Sequence, residues 1–101
     1  MSNKKFVILT QEDNKNITDT LTNYFKTNNL AYWHWLPNSY LMIDPKGNKT
    51  ASTIRNDLRS VLPSLTYVVL EATGNIDWAG RGQTETRPNM FEWIISSWSK
   101  F

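Results

Sequence analysis

Two short stretches of this chain hold side chains suited to recognising a flat, anionic molecule. The first is Asp77–Trp78–Ala79–Gly80–Arg81–Gly82, with Arg87 close behind. A guanidinium is a planar fork that matches phosphate. Glycine on both sides of Arg81 lets backbone N–H groups come near an anion. Trp78 offers a face for a base, worth about 1–3 kcal/mol per stacked base. Asp77 can accept from ribose hydroxyls. The second stretch is Tyr32–Trp33–His34–Trp35, with the ring of Tyr40 nearby in sequence. Alternation sets Trp33 with Trp35 on one face and Tyr32 with His34 on the other. His34 can donate to a phosphate or carbonyl, or take up a proton near neutral pH. Both stretches also have a plainer reading. Trp78 would pin a long loop to the core with Arg81 solvated, and the 32–35 rings would be core packing around one hydrogen-bonded histidine.

Three further groups are weaker. Arg55 and Arg59 stand one helical turn apart and read as a solvated face, with phosphate contact as the alternative. Glu12 and Asp13 suit the start of a helix; the alternative is a magnesium site shared with Asp44 and Glu71. Trp93 and Phe101 would either anchor a partner surface or fold back on the sheet. The inventory excludes more than it suggests. There is no Cys and a single His, so disulfides, thiolate nucleophiles, Cys-ligated metals and multi-His sites within one chain are ruled out. Glycine-rich nucleotide fingerprints are absent. The net charge is only +2, too small for a nucleic-acid coater. We expect no catalytic residue, no metal and no cofactor. No secretory signal, no membrane span and a cytoplasmic location are expected as well.

The elements that must position these residues follow from periodicity. Residues 5–10 form an apolar strand. Asn16 with Asp19 reads as a capping pair for a helix that buries Ile17, Leu21, Tyr24 and Phe25, ended by Asn28 and Asn29. Residues 31–36 and 39–44 make a hairpin around Pro37–Asn38. Thr50 or Ser52 caps a second helix with Ala51, Ile54, Leu58, Val61 and Leu62 on one side, and Pro63 stops it. Residues 66–72 are a further strand. The order β-α-β-β-α-β predicts an α+β, ferredoxin-like sandwich as a single domain over 1–101. Its core is 5–74, followed by a loop over 75–87 and an extra helix over 88–99. That helix groups Phe91, Ile94, Ile95 and Trp98 and turns Trp93 away.

Both alternating sets of the first and last strands are apolar, Val7/Leu9 with Phe6/Ile8 and Val68/Leu70 with Tyr67/Val69. The sheet face opposite the helices is therefore expected to be covered by the C-terminal helix, a second copy of the chain, or a ligand.

The order of elements, the hairpin YWHWLPNSYLMID, the helix TIRNDLRSVL and the strand YVVLEATG resemble the small CRISPR-associated ferredoxin-like endonuclease family in outline, over about residues 5–74. The resemblance implies a homodimer and, in some members, metal-dependent cleavage of nucleic acid. Where that family carries an acidic residue directly after the first strand, this chain has Thr10–Gln11, with Glu12 and Asp13 only later. In size and aromatic load the chain is also similar in style to small phage proteins that sequester nucleotide immune signals. The expectation is a homodimer that captures, without catalysis, a cyclic nucleotide or ADP-ribose derivative. The alternatives are a metal-dependent nuclease or nucleic-acid binder, and a protein-binding inhibitor.

Overall fold

The computed structural model describes residues 3–73, 77–82 and 89–98. Among them the elements run β1 (Lys4–Thr10), α1 (Lys15–Thr27), β2 (Ala31–Leu36), β3 (Ser39–Asp44), α2 (Ala51–Val61), β4 (Tyr67–Ala72) and α3 (Glu92–Ser96). The strands form one antiparallel sheet in the order β2-β3-β1-β4, so the fold is mixed α+β.

Helix α1 starts earlier than its sequence suggests. Asn14, not Asn16, has the extended backbone of a cap, and its Oδ1 accepts from the Ile17 N–H at 2.9 Å. Asp19 instead pairs with Lys15, one turn before it. Asn29 ends the helix in the left-handed region, φ 57°. In α2, Thr50 and Thr53 form a reciprocal capping box. Ile54 and Leu58 are fully buried, whereas Val61, expected on the core side, flanks that stripe and is exposed.

The hairpin turns at Pro37–Asn38, with Asn38 at φ 68°. It is tied to the end of β1: the Thr10 N–H donates to the Asn38 carbonyl and the Asn38 side-chain amide donates to the Thr10 carbonyl. Trp33 lies opposite Leu41 while Leu36 lies opposite Ser39, so β2 carries one extra residue between them. Such a bulge shifts the alternation by one. Leu36 therefore takes the place on the Trp33 face that simple alternation gave to Trp35.

The two sheet faces are covered differently. Phe6, Ile8, Tyr40 and Met42 pack under α1 and α2, against Leu21, Phe25, Ile54 and Leu58. On the opposite face Trp33 and Ile43 pack against Met90, Ile94 and Trp98 of the C-terminal segment. That cover is partial. Leu9, Val68 and Leu70, neighbours across β1 and β4, stay 40%, 48% and 50% exposed.

Helix α3 spans five residues rather than 88–99. The Ser96 hydroxyl donates to the Glu92 carbonyl, a local bond that competes with helix continuation, and Ser97 leaves helical geometry. Trp98 is buried against the second core, while Ile95, inside α3, is exposed, against the grouping expected for it. Trp93, expected to point away, packs against the second core. Phe101 and Pro88 lie outside the described residues.

Lys5 belongs to this second face and is 4% exposed, with its ammonium 5.5 Å from the centre of the Trp98 ring. Burial lowers its pKa from the ordinary lysine value. The folded state therefore binds this proton less well than the unfolded chain. The penalty is present at neutral pH and is relieved as pH rises toward the lysine range. Lys5→Met keeps the stem and removes the desolvated charge. We expect it to raise stability by about 1 kcal/mol in urea titrations at neutral pH. A loss of stability would mean that the contact with Trp98 outweighs desolvation.

Candidate functional site

An open groove of about 330 Å³ lies on the face covered by the C-terminal segment. Val7, Leu41 and Trp33 of the sheet form its floor, and Trp78, Phe91 and Trp98 form walls. Trp33 is held in place because its indole N–H donates to the Met90 carbonyl, which also ties the C-terminal segment to β2. Trp78 and Phe91 meet with ring centres 5.9 Å apart and planes tilted by 39°. Arg81 is exposed at the rim, and no described residue pairs with its guanidinium.

Trp33, Trp78, Gly80 and Arg81 thus come together from two distant parts of the chain. The glycines serve packing here. A Cβ on Gly80 would stand 2.6 Å from the Phe91 ring, and one on Gly82 would overlap the Met90 sulfur. They let the 77–82 loop lie flat on the C-terminal segment, which sets where Trp78 and Arg81 sit. Asp77, Gly82 and Trp35 are exposed and do not line the groove. Arg87 lies outside the described residues.

His34 and Tyr40 are on the other side of the sheet and take no part in the groove. Their rings stack 3.8 Å apart, 8° from parallel. His34 Nε2 is 3.2 Å from Asp13 Oδ2, and its Nδ1 donates to the Ser39 carbonyl at 2.8 Å. The other Asp13 oxygen accepts from the Thr18 hydroxyl at 2.9 Å and the Tyr40 hydroxyl at 3.2 Å. Desolvation would raise the Asp13 pKa, but the bonds from Thr18 and Tyr40 and the nearby imidazole overcome it and hold it below the usual carboxylate value. Burial, with the Asp13 charge, pushes the Tyr40 phenol up to about 12. Both imidazole nitrogens are occupied, so neither is presented to a substrate. This cluster locks the β1–α1 connection onto the hairpin.

Asp13 is the orienting partner that sequence reading did not find for His34. The contact spans 21 positions with no local spacing to betray it; the only hint was an acidic residue directly before the Asn14 cap. The acidic set weighed for magnesium is dispersed. Asp13 is engaged as above, and buried Asp44 accepts from the backbone N–H groups of Lys46 and Lys49. Among the described residues, no three His, Asp or Glu side chains group as metal ligands. None of the described helices is long and apolar enough to cross a membrane. Compared with protein families, curated proteins and solved structures, the chain matches none.

Proposed function

We propose that this chain binds, and leaves chemically intact, a small nucleotide-type ligand in the groove between β1, β2 and β3 and the C-terminal segment. The observation that carries this reading is the convergence of Trp33, Trp78 and Phe91 on one open cavity with an exposed Arg81 that pairs with no acid among the described residues. Rings supply sequence-tolerant stacking and the guanidinium supplies a phosphate contact. At about 330 Å³ the groove is near the small end of ligand cavities. It has room for one base-bearing unit, with any second unit of a cyclic dinucleotide or ADP-ribose reaching outside. The sheet order with α1 and α2 on one face supports a ferredoxin-like reading, in which the second face is free to carry the site. A second copy meeting Leu9, Val68 and Leu70 would bury the remaining apolar strip beside the groove. Light scattering tests that homodimer, and Leu70→Lys should yield a monomer. Capture of a nucleotide signal, as phage counter-defence proteins perform it, is the role this arrangement suits.

A thermal-shift panel of AMP, cyclic AMP, ADP-ribose and cyclic dinucleotides tests the reading. A captured ligand at a hundred times its Kd stabilises the native state by about 2.7 kcal/mol. It should be recovered unaltered after denaturation. Arg81→Gln should cut the preference for a nucleotide over its nucleoside by about tenfold, while leaving nucleoside binding in place. No shift across the panel, or release of a cleaved product, would overturn the proposal.

A further inference from the structure

Strand β4 is an edge of the sheet among the described residues: β1 pairs with it on one side and no further described strand is added on the other. Edge strands are normally blunted by proline, lysine, a bulge or a cover, because their unpaired N–H and C=O groups are a template for another strand. The sequence of β4, Tyr67–Val68–Val69–Leu70–Glu71–Ala72, contains no proline and no lysine, and it pairs with β1 in unbroken register. It is rich in residues that favour extended structure. Alongside this edge, Ala51, Ser52 and Arg55 of α2 and Tyr67, Val68 and Val69 of β4 enclose a hollow of about 320 Å³. The Tyr67 hydroxyl donates to the Arg55 carbonyl at 2.6 Å, which fixes the helix beside the start of the strand.

The charge around this hollow has one sign at one end. Arg55 and Arg59 are exposed, one turn apart, and both act electrostatically on the Tyr67 hydroxyl. Neither forms an ion pair among the described residues. Asp57, the acid between them in sequence, is turned away to Tyr24 and Lys49. Glu71 lies toward the far end of the strand. A helix beside a bare strand edge is a geometry that receives extended peptides, with backbone bonds giving affinity and side-chain pockets giving specificity.

We infer that β4 is the docking edge for an extended acidic segment of a partner protein, which adds a strand to the sheet and places its carboxylates at Arg55 and Arg59. This site is independent of the groove on the other face. Short extended peptides of alternating Val and Thr, bearing either two Glu or two Lys at matched positions, are suitable probes. The Glu peptide should slow amide hydrogen exchange along Tyr67–Ala72 and bind about tenfold more tightly than the Lys peptide. The double variant Arg55→Glu/Arg59→Glu changes only exposed positions, and circular dichroism reports whether it keeps its helices. It should reverse the preference toward the Lys peptide. Equal affinity for the two peptides, no binding of either, or protection confined to other strands would overturn the inference. So would a β4 edge protected without peptide, released on dilution and unaffected by Leu70→Lys, since that would give the edge itself, rather than the Val68–Leu70 face, to a second copy of the chain.

Discussion

Asp13→Ala should lower the unfolding free energy by about 3 kcal/mol, the largest loss we expect from a single polar substitution here. One carboxylate accepts from Thr18 and Tyr40 and faces the His34 ring, so its removal takes the acceptor from two partly buried hydroxyls, which keep only their longer 3.4 Å contact with each other, and the partner from His34 Nε2. For a domain of this size that corresponds to about 12 °C or more in Tm. Asp13→Asn keeps an acceptor for the two hydroxyls but not the charge facing His34, and should lose less. The carboxylate's pKa is lowered in the folded state, so the native protein holds this proton more weakly than the unfolded chain does. Its contribution is therefore fully present above the ordinary carboxylate range, about 4, and is lost as pH falls through the lowered folded value. Urea titrations from neutral to acid pH read both effects. In the Ala variant this part of the acid dependence should vanish. A cost below about 1 kcal/mol would show that water replaces the lost partners readily.

Trp78→Ala should weaken binding of whichever panel nucleotide stabilises the protein most by about tenfold or more, the value of one lost base stack. Trp78 is only half-buried, so the fold should survive the change. Trp33 also lines the groove but is buried and anchors Met90, so its truncation would mix folding with binding. Trp78→Phe keeps a flat face and should recover much of the affinity, which separates stacking from mere bulk. Calorimetric titration of the two variants beside the parent protein is decisive. Unchanged affinity in Trp78→Ala would remove this ring from the site and, with it, the main support for base recognition.

The strands and the first two helices were legible because each is a local pattern: an apolar run, a 3.6-residue stripe, a cap, a proline stop. The hairpin boundaries 31–36 and 39–44 coincide with the observed strands, because Pro37–Asn38 can be little other than a turn. The misplacements share a cause. The bulge in β2 is invisible in a run of aromatic residues, yet it exchanges Trp35 for Leu36 on the groove face. The cap at Asn14 competes with Asn16, an equally suitable residue two positions later. The C-terminal helix has good periodicity over a dozen positions, but the Ser96 hydroxyl bonds the Glu92 carbonyl and Ser97 leaves helical geometry. Of the proposed contacts, Trp33, Trp78, Gly80 and Arg81 converge. His34 and Tyr40 do not, because Asp13, far away in sequence, holds both on the opposite face.

The cluster beneath α1 and α2 and the cluster beneath the C-terminal segment have no residue in common. Among the described residues, the sheet stands between them. Substitutions that reshape the groove can therefore accumulate in residues 89–98 and the 77–82 loop while the interior under the helices stays as it is. Such a division lets one face of the scaffold diverge over time with its foundation untouched.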